Sequence, residues 1–279
     1  MRLARALLTV ACAAALAPAA SGCGGNGSGG GRAGTVVWAI GDGGAGTDQA
    51  KQVAGLIAKD DPAAVIFLGD VYEGGTAAEF ASNFGAVYGD LVKRTWAAPG
   101  NHDWANHEEG YDPFWRDALG ERLPHHYARE AAGWEILSVN SETPDDPEQL
   151  AWLRGRAAGG GDCRIAFWHR PRFNAGSHRD EEQNVAQLWD AVAGRAAVVL
   201  NGHDHDMQRF KPVKGTVEYV SGAGGKSHYA VDDADPRLAF SDDQSYGALR
   251  IALTPGKAEL RFVATDGTVL DRSTVTCEG

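Results

Sequence analysis

Apolar residues in this chain gather into short runs that stop abruptly at polar ones. The runs TVVWAI (Thr35 to Ile40), AAVIFLGD (Ala63 to Asp70), the start of TWAAPGNHD, WEILSV, RIAFWH, AVVLNG, TVEYVSG, ALRIAL and AELRFV predict strands. Between many of them the spacing turns helical. DQAKQVAGLIAK predicts a helix capped by Thr47 or Asp48. AAEFASNFGAVYGDLV predicts a second, interrupted by Gly85, and DPEQLAWLRGRA and EEQNVAQLWDAVAG predict two more. Strands alternating with helices predict an α/β fold with a largely parallel core. The last three strands have no helices between them and predict an antiparallel portion. One domain is expected over residues 35–279.

The N-terminus does not belong to that pattern. A basic MRLAR precedes an apolar run of about fifteen residues, too short to span a bilayer comfortably, so residues 1–22 read as a signal peptide. Export, as a secreted or a membrane-anchored protein, is the expected localisation. ASGC, Ala20 to Cys23, is similar to a bacterial lipoprotein cleavage site, although Ala20 stands where Leu is usual; lipidation of Cys23 and ordinary cleavage near Ala20 are the two readings. The Gly-rich stretch 23–34 is a flexible tether. Cys163 and Cys277 remain in the mature chain, either as a disulfide or as two separate thiols.

Charge narrows the function. A net charge of -11 excludes a basic nucleic-acid interface and gives an anionic substrate no long-range attraction. Positive charge for such a substrate has to be local, and a metal ion is its simplest source.

The chemistry sits where the strands stop. VVWAIGD ends at Asp42, VIFLGD at Asp70, WAAPGNHD at Asn101, His102 and Asp103, IAFWH at His169, and VVLNGHDH at His203 and His205. Each motif alone has an ordinary explanation, such as a turn, a helix cap or a solvated imidazole. Together they deliver carboxylates, an amide and imidazoles to the strand ends of an α/β sheet, which is where such folds build sites. Alternate residues of an extended segment share a side, so His203 and His205 can grip one metal or two adjacent ones. Oxygen and imidazole donors favour Fe, Mn or Zn over soft copper sites.

The ordered set GDGG, GD, GNHD, WHRP and GHDH resembles the calcineurin-like metallophosphoesterases, and the GDxG form of the first motif resembles their purple-acid-phosphatase-like branch. The resemblance extends from Thr35 to about Gly225. It implies a four-layer α/β/β/α sandwich and a dinuclear centre of divalent or trivalent ions. Asp42 and His205 would bind the first ion, Asp70 would bridge, and Asn101, His169 and His203 would bind the second. His102 would contact the phosphate and assist the leaving oxygen, and Asp103 would orient the His102 imidazole. His178 matches a substrate-side histidine. Arg209 either supports the site or pairs with an acid. Tyr72 follows Asp70 by two residues where the branch has three; it is a ligand if the backbone there stays extended and points elsewhere if it turns.

The implied activity is hydrolysis of small-molecule phosphate esters by a metal-bound hydroxide, on monoesters or diesters. A non-catalytic, surface-tethered metal-binding module is the alternative. The segments Ala105 to Trp115 and Asn174 to Gln183 are expected to choose the substrate, with Trp104, Tyr111, Phe114 and Trp115 either lining a pocket or packing.

Overall fold

Residues 34–278 are described by the structure, a computed structural model. The expected leader, Cys23 and the tether as far as residue 33 lie outside the described residues. In chain order the elements are β1 (Thr35–Ile40), α1 (Asp48–Lys59), β2 (Ala64–Phe67), α2 (Ala77–Glu79), a π-helical turn (Phe80–Gly85), α3 (Ala86–Tyr88), a 3-10 segment (Gly89–Arg94) and β3 (Thr95–Ala97). Then follow α4 (Asn101–Trp104), α5 (Tyr111–Leu119), β4 (Tyr127–Ala131), β5 (Trp134–Ser138), α6 (Pro147–Ala157), β6 (Arg164–Phe167), a second 3-10 segment (Arg179–Val185) and α7 (Ala186–Val192). The chain closes with β7 (Val198–Asn201), β8 (Met207–Phe210), β9 (Val217–Ser221), β10 (Leu238–Asp242), β11 (Gly247–Thr254), β12 (Lys257–Ala264) and β13 (Val269–Thr276).

These strands form two mixed sheets, in the orders β13-β12-β11-β1-β2-β3 and β10-β8-β9-β7-β6-β5-β4. Parallel pairing joins β1-β2-β3, which runs to one edge of the first sheet, and β5-β6-β7-β9 in the middle of the second; antiparallel strands complete both sheets. The central strands show why apolar runs, not alternation, mark them. In β6, Ile165 and Phe167 enter the core shared with the first sheet, while Ala166 and the following Trp168 pack against Leu150 and Leu153 of α6 and Leu188 and Trp189 of α7. Both faces are covered, so after Arg164 the run 165–168 is apolar throughout. Helix α1 begins where expected: the Thr47 hydroxyl accepts the Ala50 N–H at 3.1 Å, and Ala50, Val53, Ala54 and Ile57 form its buried stripe. The helical run broken at Gly85 keeps Phe80, Phe84 and Tyr88 buried through the π turn.

Three expectations are corrected. TVEYVSG is β9, which lies in the second sheet between β7, parallel to it, and β8, antiparallel to it, apart from β11 and β12 of the first sheet. The segment Ala105 to Trp115, expected to be a substrate-choosing loop, ends within helix α5 (Tyr111–Leu119), with Tyr111 and Trp115 fully inside the core. Strands β4, β8, β10 and β13 escape the apolar pattern. Edge strands β4 and β13 carry polar residues on their exposed side, which blunts a sheet edge against further pairing and hides the strand from a hydrophobicity reading.

Cys163 and Cys277 are joined in a disulfide across 114 residues, tying the start of β6 in the second sheet to the end of β13 in the first. Cross-linking so long a loop removes much unfolded-state entropy. The double variant Cys163→Ser/Cys277→Ser is expected to lose about 2–4 kcal/mol in urea unfolding under oxidising conditions; an unchanged midpoint and slope would contradict this role.

Candidate metal centre

Strands β1 and β2 are parallel neighbours, so the chain leaves both at the same end, and Asp42 N–H donates to the Gly69 carbonyl at 3.0 Å. Strands β6 and β7 are parallel neighbours in the other sheet, and Gly202 N–H donates to the His169 carbonyl at 3.0 Å. The two rims meet at glycines: a β-carbon on Gly41 would stand 2.7 Å from Gly202 Cα. Turning straight out of a strand at such a seam takes unusual backbone. Asp42 (φ 59°), Asp70 (φ 76°) and His203 (φ 73°) all adopt the left-handed region. For residues other than glycine this costs on the order of 1–2 kcal/mol each, and it clusters at functional sites.

The side chains converge. Tyr72 Oη donates to Asp42 Oδ1 at 2.6 Å and lies 2.9 Å from His205 Nε2, which is itself 3.6 Å from Asp42 Oδ1. On the other side, His169 Nε2 lies 3.0 Å from Asn101 Oδ1, 3.1 Å from His203 Nδ1 and 3.4 Å from Asp70 Oδ2. Ligand atoms of Asp42, Asp70 and His169 fall within 4.8 Å of one another. The two-residue spacing of Tyr72 from Asp70 therefore does bring its phenol into the site.

Tautomers show what the cluster fits. His169 Nδ1–H donates to the Leu68 carbonyl at 2.8 Å, and His205 Nδ1–H to the Ser227 carbonyl at 2.7 Å. Nε2 of both rings thus faces acceptors, the oxygens of Asn101, Asp70 and Asp42, and offers them a lone pair unless a cation, a proton or a metal, sits between. A convergence of lone pairs suits a cation. Burial pushes His203 and His205 down to about 4 and so holds them in the neutral form that ligates metal. Burial also raises Asp42 to about 8 and drives the Tyr72 phenol upward, with the Asp42 charge adding to the latter. For Asp70 and His169 the balance differs. Burial opposes both charges, yet their mutual attraction wins, pushing His169 up to about 10 and holding Asp70 well below the usual carboxylate range.

Asp103 corrects an expectation. It does not orient the His102 imidazole. Its buried carboxylate accepts from the backbone N–H groups of Asp70 (2.8 Å), Val71 (2.8 Å) and Gly100 (2.9 Å), while His102 Nδ1–H donates to the Glu73 carbonyl at 2.6 Å. The reason is local: α4 starts at Asn101, so Asp103 points back along the helix at the orphan donors of its own N-terminus and of the neighbouring turn. His102 Nε2 remains directed at the site, 4.0 Å from Asp70 Oδ2. His178 stands at the rim, its ring 4.1 Å from that of His203 and its Nδ1 2.7 Å from Asp204. Arg209 pairs with Asp271 at 2.7 Å and takes no part. Of the aromatic candidates, Tyr111 and Trp115 are core, Phe114 packs against it, and Trp104 stacks on His107 at 3.9 Å.

Several neighbours of the site were not marked in the sequence. Glu181 faces His203 Nε2 at 3.2 Å, Arg170 approaches the same nitrogen at 3.3 Å, and Tyr229 stacks on His205 at 4.1 Å. Arg170 directly follows His169 and Glu181 lies in the loop 174–183, so position alone offered a hint. Tyr229 had no signal.

Two facing sheets flanked by helices, with oxygen and imidazole donors gathered at one rim, define the metallophosphoesterase fold. The chain belongs to the calcineurin-like phosphoesterase family, whose model matches residues 35–207. Similar solved structures include a purple acid phosphatase, PPD1 from yellow lupin (Lupinus luteus) seeds, with a TM-score of 0.73 at 16% identity; it covers 87% of this chain, which spans only 53% of the lupin one. GAP50, the anchor in the inner membrane complex of Plasmodium, matches with a TM-score of 0.71 at 14% identity, over 89% of this chain and 90% of that one. A dimetal phosphatase from Danio rerio matches at 0.59 and 13% identity, over 88% and 99%. No curated protein matches by sequence.

Replacing Asp103 by Ala strands three backbone donors that it now satisfies. The expected loss is about 3 kcal/mol or more of unfolding free energy, together with weaker thermal stabilisation by added manganese. A variant that keeps both the wild-type stability and its manganese-induced shift in Tm would refute this account of Asp103.

Proposed function

We propose that this chain is a phosphatase acting on small phosphate monoesters outside the cytoplasm. The observation that carries the reading is the convergence of Asp42, Asp70 and His169 at the meeting of two sheets, with His102 beside them. Asp42, Tyr72 and His205 would hold one ion, Asn101, His169 and His203 the other, and Asp70 would serve both. Two ions of the Fe, Mn or Zn kind supply positive charge for a phosphoryl group and a water acidic enough to react near neutral pH.

The chain's own residues do the rest. Gly100 keeps clear the space against Asp70, where a β-carbon would stand 2.0 Å from Oδ1. The Glu73 carbonyl fixes the His102 ring through Nδ1, leaving Nε2 to meet the leaving oxygen. His178, held by Asp204 beside the His203 ring, would meet a further substrate oxygen. Export is supported by the leader-like N-terminus and by the Cys163–Cys277 bridge, which suits an oxidising compartment; a lipid on Cys23 would keep the enzyme at the membrane.

A second reading, a non-catalytic tethered module on the same fold, draws on the likeness to GAP50, described as an anchor. Turnover separates them. With manganese or iron, wild-type protein is expected to hydrolyse p-nitrophenyl phosphate faster than bis-p-nitrophenyl phosphate, and Asp70→Ala and His203→Ala to fall to background while still folded. Near-full activity of either variant would sink the assignment, and preference for the diester would make the enzyme a phosphodiesterase. If Tyr72 ligates, the iron-loaded oxidised protein should show a visible charge-transfer band that Tyr72→Phe abolishes; absence of the band in the wild type removes Tyr72 from the ligand set.

A further inference from the structure

The segment after β9 is pressed against the first metal motif. A β-carbon on Gly224 would stand 2.2 Å from the Gly41 carbonyl oxygen, and one on Gly225 2.6 Å from Ala50 Cβ. The Thr47 hydroxyl donates to the Gly225 carbonyl at 2.8 Å. Two residues later the Ser227 carbonyl accepts from His205, and Tyr229 stacks on the same ring. The backbone on either side of Lys226 is thus held against the site, and Lys226 is presented at its edge. Its ammonium lies 4.3 Å from the centre of the Tyr72 ring, whose hydroxyl meets Asp42 and His205 and whose face packs on His102, with ring centres 4.5 Å apart.

The ammonium is paired with Glu73, whose side chain is 74% exposed against 24% for Lys226. An ion pair with so exposed a carboxylate is weak and exchanges readily. Arg170, the other cation beside the centre, is engaged differently: it forks onto Glu142 at 2.9 and 3.1 Å and also binds Glu181. Lys226 is therefore the cation a new anion can recruit by displacing one exposed partner.

We propose that Lys226 binds a non-bridging oxygen of the substrate phosphoryl group and that Glu73 holds its ammonium in the resting enzyme. The proposal rests on the phosphoesterase reading of the site. A phosphate monoester outcompetes Glu73 because it brings up to two charges and several acceptor oxygens where Glu73 brings one charge. Lys226 thereby adds local positive charge to an acidic protein that attracts anions poorly from a distance.

The test uses manganese-loaded full-length protein, p-nitrophenyl phosphate kinetics and calorimetric binding of inorganic phosphate. Lys226→Met should raise KM and weaken phosphate binding about tenfold or more, with kcat changed less than about threefold. Lys226→Arg should restore most of both. Glu73→Gln should shift KM the opposite way, downward, because it frees the ammonium while keeping the backbone carbonyl that holds His102; this variant decides the matter if Lys226→Met fails to fold. Unchanged KM and phosphate affinity in Lys226→Met, or a loss confined to kcat, overturn the role of Lys226 and leave the phosphoesterase reading standing. If the wild type binds phosphate without turning over ester, the binding arm decides alone. A wild type that neither turns over ester nor binds phosphate overturns both.

Discussion

Everything at the rim depends on how closely the two sheets approach at Gly41 and Gly202, where there is room for backbone and nothing more. That contact brings the end of β1 beside the end of β7, and parallel pairing then places β2 and β6 one strand spacing away on either side. Donors from opposite sheets, Asp42 and His205 or Asp70 and His169, meet only because no side chain separates those ends. Gly222, whose β-carbon would lie 1.9 Å from the Asp204 carbonyl oxygen, and Gly224 extend the same constraint along the loop that follows β9.

Such convergence is costly to the fold. Buried carboxylates repel one another, neutral imidazoles aim lone pairs at acceptors, and residues 42, 70 and 203 sit in left-handed backbone. The surroundings offset this with backbone hydrogen bonds. Asp103 gathers three N–H groups, His203 N–H donates to Asp42 Oδ2 at 2.9 Å, and His102 N–H donates to Asp70 Oδ1 at 3.0 Å. Fixed dipoles thus steady the buried charges of the cluster.

The chemistry follows from the same geometry. Acceptors in excess at the centre suit metal, and cations at its edge suit an anion bound to that metal. Lys226 and Arg170 stand on different sides, one over Tyr72 and the other beside His203. A net charge of -11 draws no anion from a distance, so recognition of one would have to rest on local positive groups such as these.

The donor set was legible in the sequence because each donor closes an apolar run, and a buried strand that ends in Asp or His announces a site before any coordinates exist. Strand β6 and its His169 are the clearest case. The capped helix α1 was legible for a similar reason, since caps and stripes are local. Three things belonged to the tertiary structure alone. Asp103 turns to backbone donors that come from its own helix start and from the turn at Asp70 and Val71. Tyr72 reaches Asp42 across thirty residues of sequence, whatever its spacing from Asp70. Lys226, Tyr229 and Glu181 stand by the donor cluster without a motif to mark them. Local sequence determines what a segment presents at its end; which ends touch is decided by sheet pairing and by the glycines, Gly41, Gly202 and Gly224 among them, that let the backbones meet.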